Sequence, residues 1–337
     1  MNYLIVAPSW IGDTILAQPL FARLHARHAG LALDAFAPAW AAPVLARMNE
    51  IRRVIPNPFA HGELNLAGRW RAGRALAREG YDAAIVLPNS WKSALPPFFA
   101  GIPQRIGFRG EARHILLNRM RRPDALAPAL PQLAQRYALL AEDDNVTTPA
   151  PLAAPRLRVD DDSARATLRA LGLDPAAAPI VFCPGAEYGP AKRWPAAHFA
   201  ELARRLAADG MPVWIVGSAK DAPVGDEIAQ LSGGLARNLC GRTDLDQAID
   251  LLSRARLVVS NDSGLMHVAA ALDRPLVALY GSSSAVYTPP LSPRARLVSL
   301  GLECSPCFKR ECPLGHFKCL NDLMPERVLD EIRKALP

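Results

Sequence analysis

Short apolar runs alternate with amphipathic helical patterns along the whole chain. In the first half, runs of apolar and β-branched residues with the length of strands lie at Leu4–Ala7, Leu33–Ala37, Arg53–Ile55, Ala83–Leu87 and Arg105–Phe108. The clearest helical patterns between them span Ile15–His28 and Leu64–Arg78. Strands that alternate with helices predict βαβ units and a parallel sheet.

The second half repeats this alternation. Four further strands are predicted at Ile180–Cys183, Val213–Val216, Leu257–Ser260 and Leu276–Tyr280. Helices are predicted at Trp194–Ala208, Ala222–Leu231, Leu245–Arg254, Leu265–Leu272 and, as a terminal amphipathic helix, Pro325–Leu336. The pattern therefore predicts a second parallel α/β sheet.

A polar, proline-rich stretch at Asp143–Pro151 separates the two halves and follows a helical pattern near Leu130–Glu142. Such composition is typical of a linker. We predict a Rossmann-like domain over residues 1–145, a linker over 146–160, a second Rossmann-like domain over 161–323, and a terminal helix over 324–337 that could pack back toward the N-terminal domain. Two such domains facing each other would place a cleft between opposed strand carboxyl ends.

Composition narrows the class of protein. No apolar run approaches the roughly 20 residues that a membrane span needs. The N-terminus lacks a basic leader, and Asp13 interrupts its apolar stretch, so Met1–Ala7 is predicted to be a first strand and not a signal peptide. We therefore expect a cytoplasmic protein whose six cysteines are reduced or metal-bound.

Basic residues concentrate in the first half. The net charge is +7, and the first 145 residues hold 17 Lys and Arg against 11 Asp and Glu, whereas the remainder holds 22 against 21. Such a surplus suits an anionic partner such as a nucleic acid, a membrane surface or a phosphorylated glycan. A solvated arginine-rich surface without a partner is the alternative.

Two strand-to-helix turns in the second half carry the strongest chemical signal. One is Phe182–Trp194, which contains Gly185 and Gly189, and the other is Ser260–His267, which contains Gly264. Small residues let a ligand approach the backbone, and the helix start behind each turn offers unpaired N–H groups and a positive dipole end. Two such turns in one α/β half predict a diphosphate site at the strand carboxyl ends.

Charged side chains near these turns are candidate ligand contacts. Lys192 supplies a point charge and Arg193 a fixed fork for phosphate oxygens; a surface basic pair before a helix is the alternative. His267 lies one turn after Ser263 on the same helix face, and a structural histidine is equally compatible. Asp221 follows a strand where a carboxylate could bind ribose hydroxyls, although an acid at a helix start explains it more simply.

Asp13 is the candidate general base. It follows the first strand in Pro8–Thr14, where the glycine pattern of a dinucleotide-binding turn is missing. A free aspartate has a pKa of about 3.9 and is a weak base at neutral pH, so geometry or burial would have to compensate. A helix-capping role is the alternative.

Two motifs have the composition of metal sites. Asp160–Asp162 contains an Asp-x-Asp pattern, which we discount because acids favour the start of the helix predicted at Ser163–Leu171. Cysteines at positions 304, 307, 312 and 319 include one Cys-x2-Cys pair, with His316 as a competing ligand. One interpretation is a structural zinc bound by Cys304, Cys307, Cys312 and Cys319. The alternatives are free thiols or a labile disulfide.

Four motifs together resemble the bacterial lipopolysaccharide heptosyltransferases of glycosyltransferase family 9. They are Pro8–Asp13, Leu87–Leu95, Pro184–Trp194 and Asn261–Ala271. The resemblance runs from Met1 to the terminal helix, and Pro184–Tyr188 is most similar to the second-heptose branch. It implies a GT-B architecture, in which the parallel sheets of two Rossmann-like domains face each other across a cleft.

The resemblance also implies substrates and location. The donor would be ADP-L-glycero-D-manno-heptose, and the acceptor would be the first heptose of heptosyl-Kdo-lipid A on the inner leaflet. The enzyme would invert the anomeric carbon, require no metal or other cofactor, bind no nucleic acid, and work in the cytoplasm with peripheral contact at the inner face of the inner membrane.

Roles carry over by position. Asp13 would be the base and Lys192 the catalytic diphosphate clamp. The donor-binding set would be Gly185, Glu187, Tyr188, Arg193, Asp221, Asp262, Ser263, Gly264 and His267. The acceptor phosphates and Kdo carboxylates would meet Asn89, Lys92, Arg105, Arg109 and Arg113.

Three other functions compete with this one. A transferase of the same fold could use another nucleotide sugar or acceptor. A non-catalytic nucleotide-sugar binding protein would share the phosphate turns but not the reaction. A nicotinamide oxidoreductase is disfavoured because the G-x-G-x-x-G pattern is missing after the first strand.

Overall fold

The computed structural model describes residues 1–60, 62–122, 132–146 and 151–336. The chain forms two compact units, Met1–Pro155 (unit 1) and Arg156–Pro337 (unit 2). Part of the expected linker, residues 147–150, and the start of the helix expected near Leu130 lie outside the described residues. No helix in the described ranges combines the length and apolarity that crossing a membrane requires.

Unit 1 is built on a parallel sheet. In the described part of the chain its strands are β1 (Asn2–Val6), β2 (Ala32–Ala37), β3 (Arg53–Pro56), β4 (Ala83–Val86), β5 (Gln104–Phe108) and β6 (Arg119–Arg121). They are arranged in the order β3-β2-β1-β4-β5-β6, and every neighbouring pair is parallel. This is the doubly wound order, in which the chain reverses direction between β1 and β4.

The helices of unit 1 follow the strands. They are α1 (Ile11–Leu16), α2 (Gln18–Arg27), α3 (Ala42–Ala46), α4 (Leu66–Leu76), α5 (Leu95–Phe99) and α6 (Leu133–Ala138), with 3-10 turns at Ala39–Ala41, Ala77–Glu79, Trp91–Ala94 and Leu139–Ala141. The pattern expected as one helix over Ile15–His28 forms two helices that meet at Ala17. Pro19 lies in the first turn of α2, where its missing N–H leaves no hydrogen bond unmade.

Unit 2 repeats the same topology. Its described strands are β7 (Ile180–Cys183), β8 (Val213–Ile215), β9 (Ala236–Asn238), β10 (Leu257–Asn261), β11 (Leu276–Leu279) and β12 (Ala295–Val298). All neighbours are parallel in the order β12-β11-β10-β7-β8-β9. Numbered from its own first strand, unit 2 has the order of unit 1, so the α/β prediction is confirmed and the chain reverses between β7 and β10.

The helices of unit 2 cover both faces of its sheet. They are α7 (Asp161–Ala170), α8 (Ala196–Ala208), α9 (Ala222–Leu231), α10 (Leu245–Ser253), α11 (Gly264–Ala271), α12 (Lys318–Asn321) and α13 (Pro325–Ala335), with 3-10 turns at Pro190–Lys192 and Ala219–Asp221. The apolar face of α13 joins the core of unit 2 through Val328, Leu329 and Ile332. Its expected packing toward the N-terminal domain stays a prediction.

Three strands were not predicted from the sequence, and the reason is common to them. β6, β9 and β12 all lie at sheet edges and carry arginines: Arg119 and Arg121 in β6, Arg237 in β9 and Arg296 in β12. An edge strand is paired on one side only and buries less apolar surface, so its hydrophobic periodicity is weak.

Candidate functional site

The two turns that the sequence singled out meet at the switch point of unit 2. β7 and β10 are neighbours, with Ile180 paired to Leu257 and Cys183 to Ser260. Their turns therefore leave the same edge of the sheet side by side. Ligands of open α/β sheets bind at this place, outside the carboxyl ends of the strands where the order reverses.

Asn261 ties the two turns together, and sequence reasoning gave it no role. Its side chain is fully buried. Its Nδ2 donates to the carbonyl of Pro184 at 2.7 Å, and its Oδ1 accepts the backbone N–H of Trp194 at 3.2 Å. One amide thus fixes both ends of the first turn to the last residue of β10. The only signal in the sequence was a polar residue at the end of a buried strand.

Trp194 anchors the end of the first turn in the core. Its ring packs edge-on against Phe199 with centroids 4.7 Å apart, and its Nε1 donates to the carbonyl of Leu323 at 2.7 Å. A buried indole with a satisfied N–H is a rigid support. The residues just before it, including Lys192, are therefore held in place.

Lys192 and Asp262 form the central charge pair of the site. Lys192 Nζ lies 2.6 Å from Asp262 Oδ2, and the two side chains are 18% and 5% exposed. The ammonium group also lies 5.1 Å from the ring centroid of Tyr188, within the range of a cation–π interaction. The expected clamp and cradle residues from two different turns are thus in direct contact.

The N-terminus of α11 provides an anion-binding position. Ser263 occupies the N-cap position and Gly264 begins the helix, but the Ser263 side chain makes no cap hydrogen bond and instead lies 3.4 Å from Ser260 Oγ. The first N–H groups of α11 are therefore not satisfied by a capping side chain. Such groups, with the helix dipole, favour a phosphate or another anion.

His267 is buried one turn into α11. Burial lowers the pKa of His267 to about 4, while Asp262 acts in the opposite direction and Lys192 lowers it further. The imidazole is therefore neutral at pH 7. Its Nδ1 has no hydrogen-bond partner among the described residues, and the same holds for the buried hydroxyls of Ser282 and Ser283 beyond the end of β11. Buried unpaired polar atoms at the carboxyl edge of a sheet are open to a ligand or to water.

Asp221 is occupied by its own helix start. Its Oδ2 accepts the N–H of Ser218 at 2.9 Å and the Ser218 hydroxyl at 2.7 Å in a capping box. Gly185 packs directly against this carboxylate, because a Cβ at Gly185 would lie 2.5 Å from Asp221 Cγ. Gly185 thus permits the close approach of two loops, and the ribose contact expected for Asp221 stays a prediction.

The other charged residues of the first turn have local partners. Glu187 pairs with Lys220 at 2.6 Å, with both side chains exposed. Arg193 Nη2 lies 3.4 Å from the carbonyl of Ala186. The structure gives no reason to place Glu187 beside an anionic phosphate, and its donor contact stays a prediction.

Asp160 caps α7 by accepting the N–H groups of Asp162 and Ser163 at 3.0 Å each, as expected of acids at a helix start.

The four-cysteine segment, which carries the candidate zinc ligands, contains no disulfide. All four thiols are free. Across the described residues, no three His, Cys, Asp or Glu side chains are grouped so that they could hold a metal ion. The zinc site expected on Cys304, Cys307, Cys312 and Cys319 gains no support from this geometry and stays a prediction. Cys312 Sγ accepts the backbone N–H of Phe317 at 3.4 Å, which lowers the pKa of the Cys312 thiol.

Asp13 lies at the corresponding place in unit 1, in the first turn of α1 after β1. Trp10 is the N-cap residue, and Asp13 lies in the first helical turn, where a carboxylate interacts favourably with the helix dipole, so the capping alternative stays open beside the catalytic one. The side chain is half-buried. Its position at the end of β1, beside the β1–β4 switch point, agrees with a ligand-facing role.

The expected acceptor residues divide into two groups. Arg113 is fully buried, and its guanidinium donates to the carbonyls of Pro88, at 2.7 Å, and Phe108, and to Asn89 Oδ1 at 2.6 Å. Burial lowers the pKa of Arg113 to about 10. This buried guanidinium cross-links two loops and cannot reach a solvent-borne glycan, so we correct its expected acceptor role to a framework role.

The remaining members are more accessible. Arg109 is exposed, and the structure records no hydrogen bond or ion pair of its side chain in the described ranges. Lys92 Nζ donates to the carbonyl of Gly62 at 2.7 Å. Arg105 donates to the carbonyls of Leu116 and Ile102 at 2.7 and 2.6 Å, so part of its guanidinium is already used. Their contact with an acceptor stays a prediction.

Comparison with known proteins identifies relatives of this chain. The family model "Glycosyltransferase family 9 (heptosyltransferase)" matches residues 69–318. The lipopolysaccharide heptosyltransferase 2 of Escherichia coli K12 is 46% identical over 100% of this chain and 99% of its own length. The lipooligosaccharide heptosyltransferase 2 of Haemophilus influenzae is 44% identical with the same coverage.

Solved structures agree. The structure of E. coli ADP-heptose lps heptosyltransferase II has a TM-score of 0.88 and 43% identity, and the match covers 99% of this chain and 98% of that one. E. coli heptosyltransferase WaaC with ADP has a TM-score of 0.74 at 23% identity, covering 99% and 100%, and shows a common fold.

Proposed function

The chain belongs to glycosyltransferase family 9, and from that premise we propose that it transfers L-glycero-D-manno-heptose from ADP-heptose to the first heptose of the lipopolysaccharide inner core. The observation that supports this most is the Lys192–Asp262 pair beside the uncapped start of α11. A lysine and a helix N-terminus at one switch point together suit a diphosphate.

The donor's diphosphate would lie over α11. In a transfer, negative charge grows on the departing ADP while the sugar becomes cation-like. Lys192 and the N–H groups at Gly264 are positioned to stabilise that charge from two sides. Asp262 holds the ammonium in place at 2.6 Å. Because the pKa of His267 is lowered to about 4, its imidazole is neutral at pH 7 and adds no positive charge to the site.

Inversion needs a base on the acceptor side. The acceptor oxygen bonds to the anomeric carbon, the bond from that carbon to the β-phosphate oxygen breaks, and its electron pair leaves with ADP. The hydroxyl proton passes to a carboxylate, which we assign to Asp13. A general base of this kind contributes about 10²- to 10⁴-fold to the rate.

We further assign acceptor recognition to unit 1. Arg109 is exposed just after the end of β5 and is available for a phosphate or a Kdo carboxylate, and Asn89 and Lys92 lie in the segment that follows β4. Arg105 lies near the start of β5, four residues before Arg109. A guanidinium is suited to bidentate contact with either group. The buried Arg113 guanidinium supports this surface from the protein interior by donating a hydrogen bond to Asn89 Oδ1.

The same reasoning favours peripheral contact with the inner face of the inner membrane. Helix α4 presents Leu66 and Trp70, 53% and 54% exposed, together with the exposed Arg71 and Arg74, and Arg78 is exposed in the 3-10 turn that follows it. Apolar and aromatic side chains interleaved with arginines suit an anionic lipid surface. The acceptor is itself a membrane lipid, so a surface of this kind would bring the enzyme to its substrate.

Vesicle flotation tests that contact. We expect the full chain to float with vesicles containing phosphatidylglycerol and less so with phosphatidylcholine alone, and Trp70→Ser with Arg74→Gln to lose flotation. Turnover on a water-soluble, deacylated acceptor should be unchanged in the variant. Equal flotation of wild type and variant would refute the assignment of α4.

The reaction itself is tested with purified protein, ADP-heptose and a core acceptor that ends in a single heptose. We expect release of ADP and a product heavier by one heptose, with the same rate in EDTA because the proposal neutralises the diphosphate with protein groups alone. UDP- and GDP-sugars serve as donor controls. An acceptor without the first heptose should give no product; a product from it would assign the chain to the first-heptose step.

A further inference from the structure

The cysteine-rich segment, residues 304–319, packs against the donor turn. Tyr188 Oη donates to the carbonyl of Phe308 at 2.8 Å. The backbone N–H of Ala191 donates to the carbonyl of Arg310 at 3.0 Å. These contacts join positions about 120 residues apart in the chain. The segment therefore forms one wall of the site that the sequence placed on two turns only.

Gly189 makes this packing possible. Its φ is +155°, and a Cβ at this position would lie 2.5 Å from the carbonyl oxygen of Arg310. That approach is closer than any side chain tolerates. The backbone of Arg310 is thus held directly against the turn that carries Lys192.

The segment also contacts the end of β11. The N–H of Phe308 donates to the carbonyl of Ser282 at 2.7 Å, and the hydroxyl of Ser305 donates to the carbonyl of Gly281. Ser282 and Ser283 carry two of the buried hydroxyls that have no partner in the described part of the chain. The segment thus bridges the turns that follow β7 and β11, on either side of α11.

Arg310 places a second cation at the site. Its guanidinium lies 5.4 Å from the ring centroid of Tyr188, and Lys192 Nζ lies 5.1 Å from the same centroid. Arg310 is exposed, and the structure records no acidic partner for it among the described residues. Asp262 balances Lys192. The surplus positive charge beside Tyr188 therefore comes from Arg310.

We propose that Arg310 is a phosphate-binding residue of the donor site, which acts with Lys192 on the diphosphate of the nucleotide sugar. This inference rests on the proposed function. Two cations drawn to one ring repel each other, and a dianionic ligand between or beside them would relieve that repulsion. The planar fork of arginine suits two phosphate oxygens at once, whereas Lys192 acts as a point charge. Tyr188 would serve as the platform that positions both.

Matched variants test the assignment. Arg310→Gln removes the charge, Arg310→Lys keeps the charge but not the fork, and Lys309→Gln removes the neighbouring exposed cation. We expect Arg310→Gln to raise the Kd for ADP about 10- to 100-fold, as for loss of one charged hydrogen bond. The Kd of Arg310→Lys for ADP should lie between the values of wild type and Arg310→Gln. The Kd of Lys309→Gln should stay within about twofold of wild type, because loss of an unpaired surface cation costs little.

Two further readouts separate a phosphate contact from a structural effect. Adenosine binding, measured by competition, should be equal in wild type and Arg310→Gln, since adenosine has no phosphate. The KM for ADP-heptose should rise while the acceptor KM does not. If Arg310→Gln and Lys309→Gln bind ADP equally well, or if adenosine binding falls with ADP binding, the inference is wrong.

The proposed function fails by a different result. A wild-type protein that binds no ADP, or transfers no heptose, would overturn the proposed function. A wild type that does both, with an Arg310→Gln variant that is unaltered in both, overturns only the role of Arg310.

Discussion

Replacing Lys192 with Ala is the most informative perturbation of the site, because it separates ligand binding from stability. The variant leaves Asp262, 5% exposed, without the ammonium that lies 2.6 Å away. Removing one partner of a buried ion pair costs about 3–5 kcal/mol. Lys192 is 18% exposed, so water screens the pair and the lower end, about 3 kcal/mol, is the appropriate figure.

Two quantities should change. A loss of about 3 kcal/mol lowers the Tm of a unit of this size by about 6–12 °C, which calorimetry resolves. The Kd for ADP should rise about 10- to 150-fold, since a hydrogen bond between charged groups contributes about 1.5–3 kcal/mol. Titration calorimetry with ADP measures this directly.

The double variant Lys192→Ala with Asp262→Asn is the control. It removes the buried unpaired charge, so the Tm should return most of the way to the wild-type value. ADP affinity should remain at least about tenfold below wild type, because the cation is still missing. Wild-type ADP affinity in the double variant would show that Lys192 serves only to neutralise Asp262, and the clamp assignment would be refuted.

Three further predictions follow from other parts of the chain. Asp13→Asn should reduce turnover at least about 100-fold, as for loss of a general base, with the ADP Kd unchanged; a parallel loss of ADP binding would indicate a structural role. Arg109→Gln should raise the acceptor KM with little change in Tm. Arg113→Gln breaks buried hydrogen bonds to Pro88 and Asn89 and should lower the Tm. Thermal shift and acceptor kinetics together distinguish the two variants, and a reversed pattern would overturn both assignments. The pKa of His267 is about 4 in the folded chain, whereas the unfolded chain binds the proton near pH 6.5. The free energy of unfolding should therefore be fully retained above pH 6.5 and fall by up to about 3 kcal/mol as the pH drops to 4. Denaturant titrations of wild type and His267→Gln measure this difference, and an equal dependence of the unfolding free energy on pH in the two proteins would contradict it.

Strands at the centre of each sheet were predictable because their signal is local. β1, β4, β7 and β10 are buried on both faces and appear in the sequence as short apolar runs. The polar turns after them were visible for the same reason, since small residues and a helix pattern follow within a few positions. The parallel α/β fold and the position of the two glycine-containing turns therefore came from neighbouring residues alone.

Edge strands and side-chain roles needed the tertiary structure. β6, β9 and β12 carry arginines on a half-paired backbone and leave little hydrophobic periodicity. Arg109 and Arg113 are four residues apart and chemically identical, yet one is exposed and the other fully buried. Sequence reasoning had grouped them, because burial depends on which loops close over a residue.

What the sequence determined by itself was the succession of strands and helices, the two glycine-containing turns, and the residues Lys192 and Asp262 as site candidates. What only the tertiary structure decided was which distant segments meet: the amide of Asn261 between two turns, and the segment around Arg310 against Tyr188. The physical reason is that helix and strand patterns arise from contacts within a few residues, whereas a binding site forms where the topology of the sheet brings separate strand ends together.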